Sequence, residues 1–378
     1  MISVYLDCNA TTPLEPRVRD EMWKYFTDDY GNEGSRTHEY GAKAKQAVQQ
    51  ARDQVASVVE CSREEVIFTS GATESNNMAL LGLGEHGEKT GKRHIISTQI
   101  EHKAVLEPLE LLKSRGFEVT LLPTNHSGRI DAGDLTKALR PDTLLVSVMH
   151  ANNETGVIQP IQEIAQALQE HKAYFHIDGA QTYGKLIDDL RLSRIDLISA
   201  SGHKIYGPKG VGALIVRRRG YEKLPLTPLM VGGGQERGLR PGTVAVPLVV
   251  GMGFASAIAL KEHKKREQSN MKFREKLLAK LTVLKPEING DQSHVMPHCI
   301  SLAFPGIDSE TAMVTFKGLV AASNGSACTS ASYKPSHVLE AMGLPPERIA
   351  GTIRFSWCHM TEEPDWDRLV KRVKSLQS

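Results

Sequence analysis

The chain alternates between short runs of consecutive apolar residues and segments of helical periodicity from about residue 43 to residue 220. Residues 43–59 show the helical pattern, because Ala44, Val48 and Val55 recur on one helical face. The runs predicted as buried strands are 66–69, 94–97, 118–122, 144–148, 174–177, 196–199 and 212–216. Continuous apolar strands separated by helices predict an α/β fold with a mainly parallel sheet, in which ligands bind at the carboxyl ends of the strands.

A second, smaller unit is expected after this sheet. A long helix over residues 245–272 leads away from it. The segments that follow predict a smaller α+β domain: 273–284, 300–304, 312–319, 338–342 and 353–356. We therefore expect a large α/β domain over residues 14–257 and a small α+β domain made of residues 1–13 and 258–378.

Composition limits the function. A chain of 378 residues is long enough for two domains, and its net charge of +2 is too balanced for a protein dedicated to nucleic acid or to a membrane surface. The longest apolar stretch, 244–260, is interrupted by Pro247, Gly251 and Gly253, so it predicts a buried helix rather than a membrane span. The N-terminus has no signal-peptide pattern, and we expect no export.

Cysteine usage indicates a reducing cytoplasm. The five cysteines are odd in number, widely spaced and without a Cys-x-x-Cys pair: Cys8, Cys61, Cys299, Cys328 and Cys358. This pattern argues against a disulfide framework and against a zinc site, and we expect no metal. Cys328 lies in a run of small and polar residues, 323–332, which leaves its sulfur accessible and predicts a reactive thiol. The other four are interpreted as structural or incidental.

A lysine and an acid end two of the predicted strand segments. Lys204 closes the sequence Ser-Gly-His-Lys, and Asp178 closes an earlier apolar run. In a pyridoxal phosphate enzyme the lysine carries the cofactor as a Schiff base, and the acid keeps the pyridine nitrogen protonated so that the ring accepts electrons. Gln181 follows on the same loop and could bond the phenolic oxygen of the cofactor. The sequence therefore predicts pyridoxal phosphate.

Two glycine-containing segments are candidates for binding the cofactor phosphate. Ala72 and Thr73 lie between a predicted strand and a helix, where free backbone N–H groups bind anions. Ordinary helix capping by Thr73 or Ser75 explains the same residues equally well. Thr243 ends the loop 232–243 and could also reach a phosphate, although an inter-domain connector is the simpler interpretation of that loop alone.

Three further residues could act on the substrate. His102 follows a strand and could stack on the ring and transfer protons, although any one of 14 histidines is more often structural. Asn153, in the sequence His-Ala-Asn-Asn-Glu-Thr-Gly, could orient substrate or cofactor, although such segments are common in turns. Arg354 lies inside an apolar strand and needs an anionic partner, either a substrate carboxylate or an internal acid.

Together these motifs resemble those of the cysteine desulfurases of the NifS/IscS type, which are class V, fold-type I pyridoxal phosphate enzymes. The motifs are Ser-Gly-Ala-Thr-Glu-Ser, Glu-His-Lys, Asn-Asn-Glu-Thr-Gly, Ser-Gly-His-Lys and Gly-Ser-Ala-Cys-Thr-Ser, in this order. The resemblance implies a fold-type I architecture and the conversion of L-cysteine to L-alanine. It also implies a persulfide on Cys328, whose sulfur passes to acceptor proteins.

The resemblance implies a role for each candidate residue. Lys204 would be the Schiff-base lysine, His102 the proton carrier and Cys328 the nucleophile. The other implied contacts are Asp178 at the pyridine nitrogen, Gln181 and Asn153 at cofactor and substrate, Ala72, Thr73, Ser201 and His203 around the phosphate, Thr243 at the phosphate of the neighbouring subunit, and Arg354 at the substrate carboxylate. A contribution from the neighbouring subunit implies a homodimer, and we expect neither direct nucleic-acid binding nor a membrane partner.

The segments 290–298 and 356–360 are closer to the desulfurases of DNA phosphorothioation (Dnd) systems, in which persulfide sulfur replaces a phosphate oxygen of DNA. The chain ends soon after a predicted helix over 366–376, whereas IscS-like proteins continue into a tail that docks the iron–sulfur scaffold. We therefore expect the Dnd branch. The alternatives are a housekeeping desulfurase for iron–sulfur clusters or tRNA thiolation, a selenocysteine lyase, a small aminotransferase, and a non-enzymatic sulfur-relay or scaffold protein.

Overall fold

The computed structural model describes residues 3–325 and 335–376. Its strands are β1 (Val4–Tyr5), β2 (Val66–Thr69), β3 (His94–Thr98), β4 (Glu118–Leu122), β5 (Thr143–Met149), β6 (Tyr174–Asp178), β7 (Leu197–Ser201), β8 (Gly212–Val216), β9 (Glu287–Ile288), β10 (Cys299–Ala303), β11 (Val320–Ala321) and β12 (Thr352–Ser356). Its α-helices are α1 (Pro16–Thr27), α2 (Glu39–Val58), α3 (Ala72–Leu81), α4 (Gly84–Thr90), α5 (Lys103–Ser114), α6 (Ala132–Ala138), α7 (Ile161–Ala167), α8 (Val246–Leu281), α9 (Ser309–Phe316), α10 (His337–Ala341), α11 (Pro346–Ala350) and α12 (Trp366–Lys374).

The largest sheet has seven strands in the order β2-β8-β7-β6-β5-β3-β4. Neighbouring strands are parallel except at β8, which runs antiparallel to β2 and β7. Every residue of β3, β5 and β7 is buried. Burial on both faces explains why these strands are continuously apolar rather than alternating. The predicted α/β class with a mainly parallel sheet is confirmed.

Hydrophobic clusters cover both faces of this sheet. On one face, apolar side chains of α2, α7 and the first half of α8 pack on β5 and β6. On the other face, α3 and α5 pack on the same strands. Within β5, Val146 belongs to the first cluster and Leu145 to the second, as the alternation of side chains along a strand requires.

Helix α8 is longer than the sequence pattern predicted. It runs for 36 residues, so the segment 273–284, assigned to the small domain, mostly continues this helix. Gly253 allows its close packing, because a Cβ at this position would lie 2.5 Å from Cα of Ala51 in α2. Leu277 and Leu281, near the end of α8, belong to a separate cluster. None of the helices in the described residues has a stretch long and apolar enough to cross a bilayer.

That separate cluster surrounds a second, three-stranded antiparallel sheet in the order β12-β10-β9. The N-terminal strand β1 pairs with β11 in a separate two-stranded sheet. A bridge between Asp7 and Ser356 then connects the N-terminal segment to β12 of the three-stranded sheet. The N-terminal residues therefore pack with the C-terminal third of the chain. The division at residues 13 and 257 stays a prediction.

Candidate active site

The carboxyl ends of the parallel strands meet at a cavity of about 490 Å³. The predicted site residues that line it are Ala72, Thr73, His102, Asn153, Asp178, Gln181, Ser201, His203 and Lys204. They lie at the ends of β6 and β7 or in the segments after β2, β3, β5, β6 and β7. The sheet therefore brings together residues that are far apart in the sequence, as expected for ligand sites in open α/β folds.

Lys204 reaches the cavity from a short 3₁₀ turn at the end of β7. Its ammonium group donates hydrogen bonds to the main-chain oxygens of Asn9 and Ala10, the latter over 2.9 Å. A Cβ at Gly202 would lie 2.9 Å from the main-chain oxygen of Pro208, so glycine fits this tight turn where a larger residue would not. The turn and the two carbonyl groups hold the amine at the cavity wall.

Asp178 closes strand β6, and its carboxylate is held by two donors. Oδ2 accepts a hydrogen bond from Nδ2 of Asn76 over 2.8 Å, and Oδ1 accepts one from the main-chain N–H of Ala180 over 2.9 Å. Asn76 belongs to α3, which follows β2. The carboxylate is therefore oriented from two different elements at the edge of the cavity.

Gln181 lies on the loop after Asp178 and has one unused polar atom. Its Nε2 donates to the main-chain oxygen of Asn9 over 3.0 Å. Its Oε1 is buried and has no hydrogen-bond partner within the described residues. Such an acceptor costs about 1–3 kcal/mol unless a bound molecule donates to it. This oxygen is therefore a candidate ligand contact.

The turn between β2 and α3 lines the cavity through residues 70–73. No side chain caps the first turn of α3, which begins at Ala72. The Ser75 hydroxyl instead lies 2.8 Å from Oγ1 of Thr69. The capping alternative for Thr73 and Ser75 is therefore not observed, and the first turn keeps N–H groups for an anion.

Ser201 and His203 approach the same turn from the end of β7. The Ser201 hydroxyl faces Gly71, where an added Cβ would lie 3.7 Å from Oγ. Nδ1 of His203 lies 3.1 Å from Oγ1 of Thr11. Burial, helped by the charge of Lys204, lowers the pKa of His203 to about 4. The imidazole is therefore neutral at pH 7 and acts through hydrogen bonds rather than through charge.

His102 caps helix α5 and lines the cavity. Its Nδ1 accepts a hydrogen bond from the main-chain N–H of Ala104 over 3.0 Å. Because Nδ1 is the acceptor, the proton of the neutral ring is on Nε2. Burial lowers the pKa of His102, which favours this neutral form. The ring can therefore exchange a proton through Nε2.

Glu101, beside His102, is a buried acid that the sequence analysis did not single out. Oε1 accepts hydrogen bonds from Oγ1 of Thr98 over 2.7 Å and from the main-chain N–H of Met149 over 2.9 Å. Oε2 has no partner within the described residues. Burial raises the pKa of Glu101 to about 8. Through these two hydrogen bonds Glu101 connects the end of β3 to the end of β5, next to His102.

Asn152 and Asn153 are adjacent but have different surroundings. Oδ1 of Asn152 accepts from the main-chain N–H groups of Glu154 and Thr155, over 2.8 and 3.0 Å, so its carboxamide stabilises the turn. Asn153 lines the cavity. The spacing of the motif could not show which amide faces a ligand.

Arg354 lies behind Asn153 rather than in the cavity wall. Its Nη2 pairs with Oδ1 of Asp7 over 2.6 Å, and its Nη1 donates to the main-chain oxygen of Asn153 over 2.9 Å. The internal ion pair, one of the two alternatives, is therefore present. Nε is buried and lacks a partner within the described residues, so it can still donate to another acceptor. The contact with a substrate carboxylate stays a prediction.

Glu154 is a second buried acid, and its place in the sequence Asn-Asn-Glu-Thr-Gly does not indicate what its side chain contacts. Its Oε2 accepts a hydrogen bond from the Ser336 hydroxyl, and a Cβ at Gly325 would lie 2.9 Å from the same oxygen. Residues 326–334 lie outside the described residues, and the predicted nucleophile Cys328 is among them. Glu154 therefore contacts residues on both sides of that segment. No spacing rule in the sequence would have found these contacts.

Thr243 is exposed and does not line the cavity of its own chain. The loop that carries it is anchored by Glu236, whose buried carboxylate forms a bidentate ion pair with Arg52 over 2.6 and 2.8 Å. The same carboxylate accepts from the main-chain N–H of Phe68 over 2.7 Å. This loop is therefore fixed to β2, just before the turn that leads into α3.

The residues around the cavity fit pyridoxal phosphate. Lys204 supplies an amine that can bond to the aldehyde carbon of the cofactor, and Asp178 supplies a carboxylate for the nitrogen of its pyridine ring. The unused Oε1 of Gln181 can face a ring substituent, and the N-terminus of α3 with Ser201 can bind a phosphate. One cavity thus contains a partner for each reactive group of that cofactor.

Comparison with known proteins agrees with this fit. The family model for Aminotransferase class-V matches residues 4–369. The chain is 47% identical over 371 residues to the mitochondrial cysteine desulfurase of Saccharomyces cerevisiae, covering 98% of this chain and 74% of that protein.

Two solved structures are also similar. DndA from Streptomyces lividans is 53% identical with a TM-score of 0.82, over 92% of this chain and 98% of that one. SspA, solved in complex with cysteine, is 36% identical with a TM-score of 0.83, over 95% and 100% of the two chains.

Proposed function

Because the chain belongs to the class-V aminotransferase family and is a pyridoxal phosphate-dependent cysteine desulfurase, we propose that the cavity at the strand ends is its active site. The family and the cofactor predicted from the sequence are thereby confirmed. This proposal rests mainly on one observation. Lys204 and Asp178 follow or end two neighbouring strands and line the same cavity, which is also lined by the first residues of α3.

Lys204 would hold the cofactor through its amine, and Asp178 would hold a proton at the pyridine nitrogen. When bound, the cofactor draws electron density away from the substrate Cα, which makes the Cα–H bond acidic. The amine of Lys204 and the neutral ring of His102 are the groups that would move this proton. Gln181 would face the phenolic oxygen.

The phosphate would bind at the N-terminus of α3, at Ala72 and Thr73, with Ser201 and His203 as further donors. Thr243 would complete this site in a second copy of the chain, since it is exposed in its own. The loop that carries Thr243 follows the exposed apolar residues Leu229, Met230 and Val231, which a second subunit would cover. We therefore propose a homodimer, which would sediment at twice 41.6 kDa.

Arg354 would bind the substrate carboxylate, helped by Asn153. Nε of Arg354 has no partner within the described residues and would donate to the carboxylate, while the ion pair with Asp7 fixes the orientation of the guanidinium group. Arginine suits this task because its planar N–H groups match a carboxylate.

Cys328 would accept the sulfur. Its thiolate attacks the sulfur of the bound L-cysteine, so that an S–S bond forms while the substrate C–S bond breaks. The electron pair of that bond stays on the carbon skeleton, which takes up a proton and leaves as L-alanine. Cys328 is left as a persulfide, whose terminal sulfur passes to an acceptor protein.

The pathway that we propose for this sulfur is DNA phosphorothioation. This proposal is supported by the 53% identity to DndA, compared with 47% to the mitochondrial desulfurase, and by the segments 290–298 and 356–360. A net charge of +2 favours delivery to a partner protein rather than direct contact with DNA. We place the enzyme in the cytoplasm, where its thiols stay reduced.

Deletion of the gene in its own host tests this pathway. We expect phosphorothioate dinucleotides to disappear from nuclease-digested DNA while iron–sulfur enzymes keep their activity. Restoring the gene, but not a Cys328→Ala version, should bring the dinucleotides back. Unchanged DNA together with a loss of iron–sulfur enzyme activity or tRNA thiolation would instead establish the housekeeping function, which the similarity to the mitochondrial enzyme favours.

A further inference from the structure

Cys8 and Cys358 form a thiol pair directly behind the cavity. Both are buried, with 1% and 4% of their surfaces exposed, and they pack together with Tyr206 in one small cluster. The two chain segments are held side by side, because the main-chain N–H of Cys8 donates to the oxygen of Ser356 over 3.0 Å. The next residue, Asn9, donates its N–H to the Ser356 hydroxyl over 2.9 Å. The pair is therefore fixed by the backbone as well as by packing.

The surroundings of Cys358 favour a thiolate. The hydrogen bond from the Cys8 thiol lowers the pKa of Cys358, although burial acts in the opposite direction. The Thr361 hydroxyl also lies 3.6 Å from its sulfur. A cysteine with a lowered pKa that packs against a second thiol is the arrangement of redox-active cysteine pairs, in which one sulfur is attacked and the other resolves.

A partly buried lysine lies near the pair, and a small void adjoins Tyr206 of the same cluster. Lys185 is partly buried, and its Nζ lies 3.3 Å from Nε2 of His298. Burial lowers the pKa of Lys185 to about 8, while the thiols of Cys8 and Cys358 act against this lowering. Lys185, His298 and Tyr206 line a void of about 20 Å³. This volume accommodates a molecule the size of water, and hydrogen peroxide is only slightly larger.

We propose that Cys8 and Cys358 are a peroxide-sensitive modification site that forms a reversible disulfide. The Cys358 sulfur attacks one peroxide oxygen, the O–O bond breaks, and sulfenic acid and water form. The Cys8 sulfur then attacks the Cys358 sulfur, the S–O bond breaks, and a second water leaves with the thiol proton. Two thiols and one hydrogen peroxide thus give one disulfide and two waters.

The disulfide would change the environment of the lysine at the active site. Asn9 follows Cys8, and its main-chain oxygen accepts hydrogen bonds from both Lys204 and Gln181. Drawing Cys8 toward Cys358 shifts this oxygen. The oxidised protein should therefore show an altered absorbance of the lysine-bound cofactor, a consequence that rests on the proposed role of Lys204.

Peptide mapping of the holoenzyme tests the disulfide without any substitution. The protein is treated with hydrogen peroxide, alkylated in denaturant and digested without reduction. We expect a cross-linked peptide pair that contains Cys8 and Cys358, and its disappearance after dithiothreitol. Persistence of both cysteines as alkylated thiols, under conditions that oxidise Cys328, would overturn the proposal.

Matched variants separate this pair from the other thiols. Cys328→Ser and Cys299→Ser should each form the cross-link to the same extent as the unsubstituted chain. Cys8→Ser should instead accumulate sulfenic or sulfinic acid at Cys358, because the resolving thiol is gone. A cross-link yield that falls tenfold or more in Cys328→Ser would show that the disulfide arises by exchange with the nucleophile, and would overturn the direct peroxide route. Since the cross-link is read by mass, its result is independent of whether the proposed roles of Lys204 and Cys328 hold.

Discussion

At the scale of single residues, the proposed chemistry depends on side chains whose orientation is set from more than one element. Asp178 is the clearest example, because Asn76 in α3 and the main-chain N–H of Ala180 each hold one of its oxygens. Its spacing from Lys204 predicted a cofactor partner, and the cavity contains both. The two donors that orient it are tertiary contacts and could not be predicted from that spacing.

Replacing Asp178 by Asn keeps its size and removes its charge. We expect kcat to fall by about 100-fold or more, as is typical when one positioned acid or base is lost. Alanine formation from L-cysteine measures this, with Asp134→Asn on the exposed part of α6 as the matched control. Activity within a factor of two of wild type would show that Asp178 does not hold the ring proton.

Arg354→Lys tests the carboxylate contact. Lysine keeps the positive charge but loses the planar set of donors, so KM for L-cysteine should rise about 10- to 100-fold, equivalent to a charged hydrogen bond of about 1.5–3 kcal/mol. The same variant should process cysteamine, which lacks the carboxylate, no worse than wild type does. Arg348→Lys, whose guanidinium pairs with Glu287, is the control. An equal loss with both substrates would assign Arg354 a purely structural role.

Glu101 predicts a specific pH dependence of stability. Its pKa is raised to about 8 in the folded protein, from 4.5 in its ordinary state. The unfolded chain therefore loses this proton first, and the stability that Glu101 contributes below pH 4.5 is lost as pH rises toward 8.

Glu101→Gln removes this dependence while keeping an oxygen for Thr98 and Met149. The difference in the free energy of unfolding, variant minus wild type, should increase on the order of 1 kcal/mol for each pH unit as pH rises from 5 to 8. Urea unfolding of the holoenzyme at three pH values measures it, with the exposed Glu163→Gln as control. Parallel curves for variant and wild type would contradict a protonated Glu101.

At the scale of elements, strands were easier to predict than the ends of helices. The buried strands could be predicted because burial on both faces requires consecutive apolar residues, as in β5. The extension of α8 beyond residue 272 could not be predicted, because its second half is charged on most of its surface. Gly251 and Gly253 lie inside this helix, where they allow close packing against Pro208 and Ala51.

The same distinction applies to the candidate site. Lys204, Asp178 and His102 could be predicted because polar residues directly after parallel strands share one edge of the sheet. Glu154 could not, because its role depends on Ser336, which is distant in sequence.

Glu154→Ala tests whether this acid positions the nucleophile segment. The substitution leaves the Ser336 hydroxyl without its acceptor, so transfer of sulfur to Cys328 should slow about 10- to 100-fold, the effect of a small misplacement of a reacting group. The absorbance of the bound cofactor should stay unchanged. Glu154→Gln, which keeps an acceptor, should restore most of the rate. A lost cofactor signal, or no rescue by Gln, would contradict a positioning role.

At the scale of the whole molecule, the N-terminal segment connects the parts of the enzyme. Residues of this segment pair with β11 and β12, accept from Lys204, and form one half of the Cys8–Cys358 pair. The large sheet supplies the cofactor cavity, while the second sheet supplies Arg354. Any shift between the two sheets therefore changes the distance from the cavity to Arg354, the proposed site for the substrate carboxylate.

The central claim is that sulfur from L-cysteine passes to Cys328, and single-turnover mass spectrometry tests it most directly. The holoenzyme is mixed with one equivalent of L-cysteine without reductant, and alanine and the peptide masses are measured. We predict about one alanine per active site and a Cys328 peptide heavier by one sulfur atom, with neither in Cys328→Ala. Alanine released at the wild-type rate by Cys328→Ala, or the extra sulfur on another cysteine, would contradict the account.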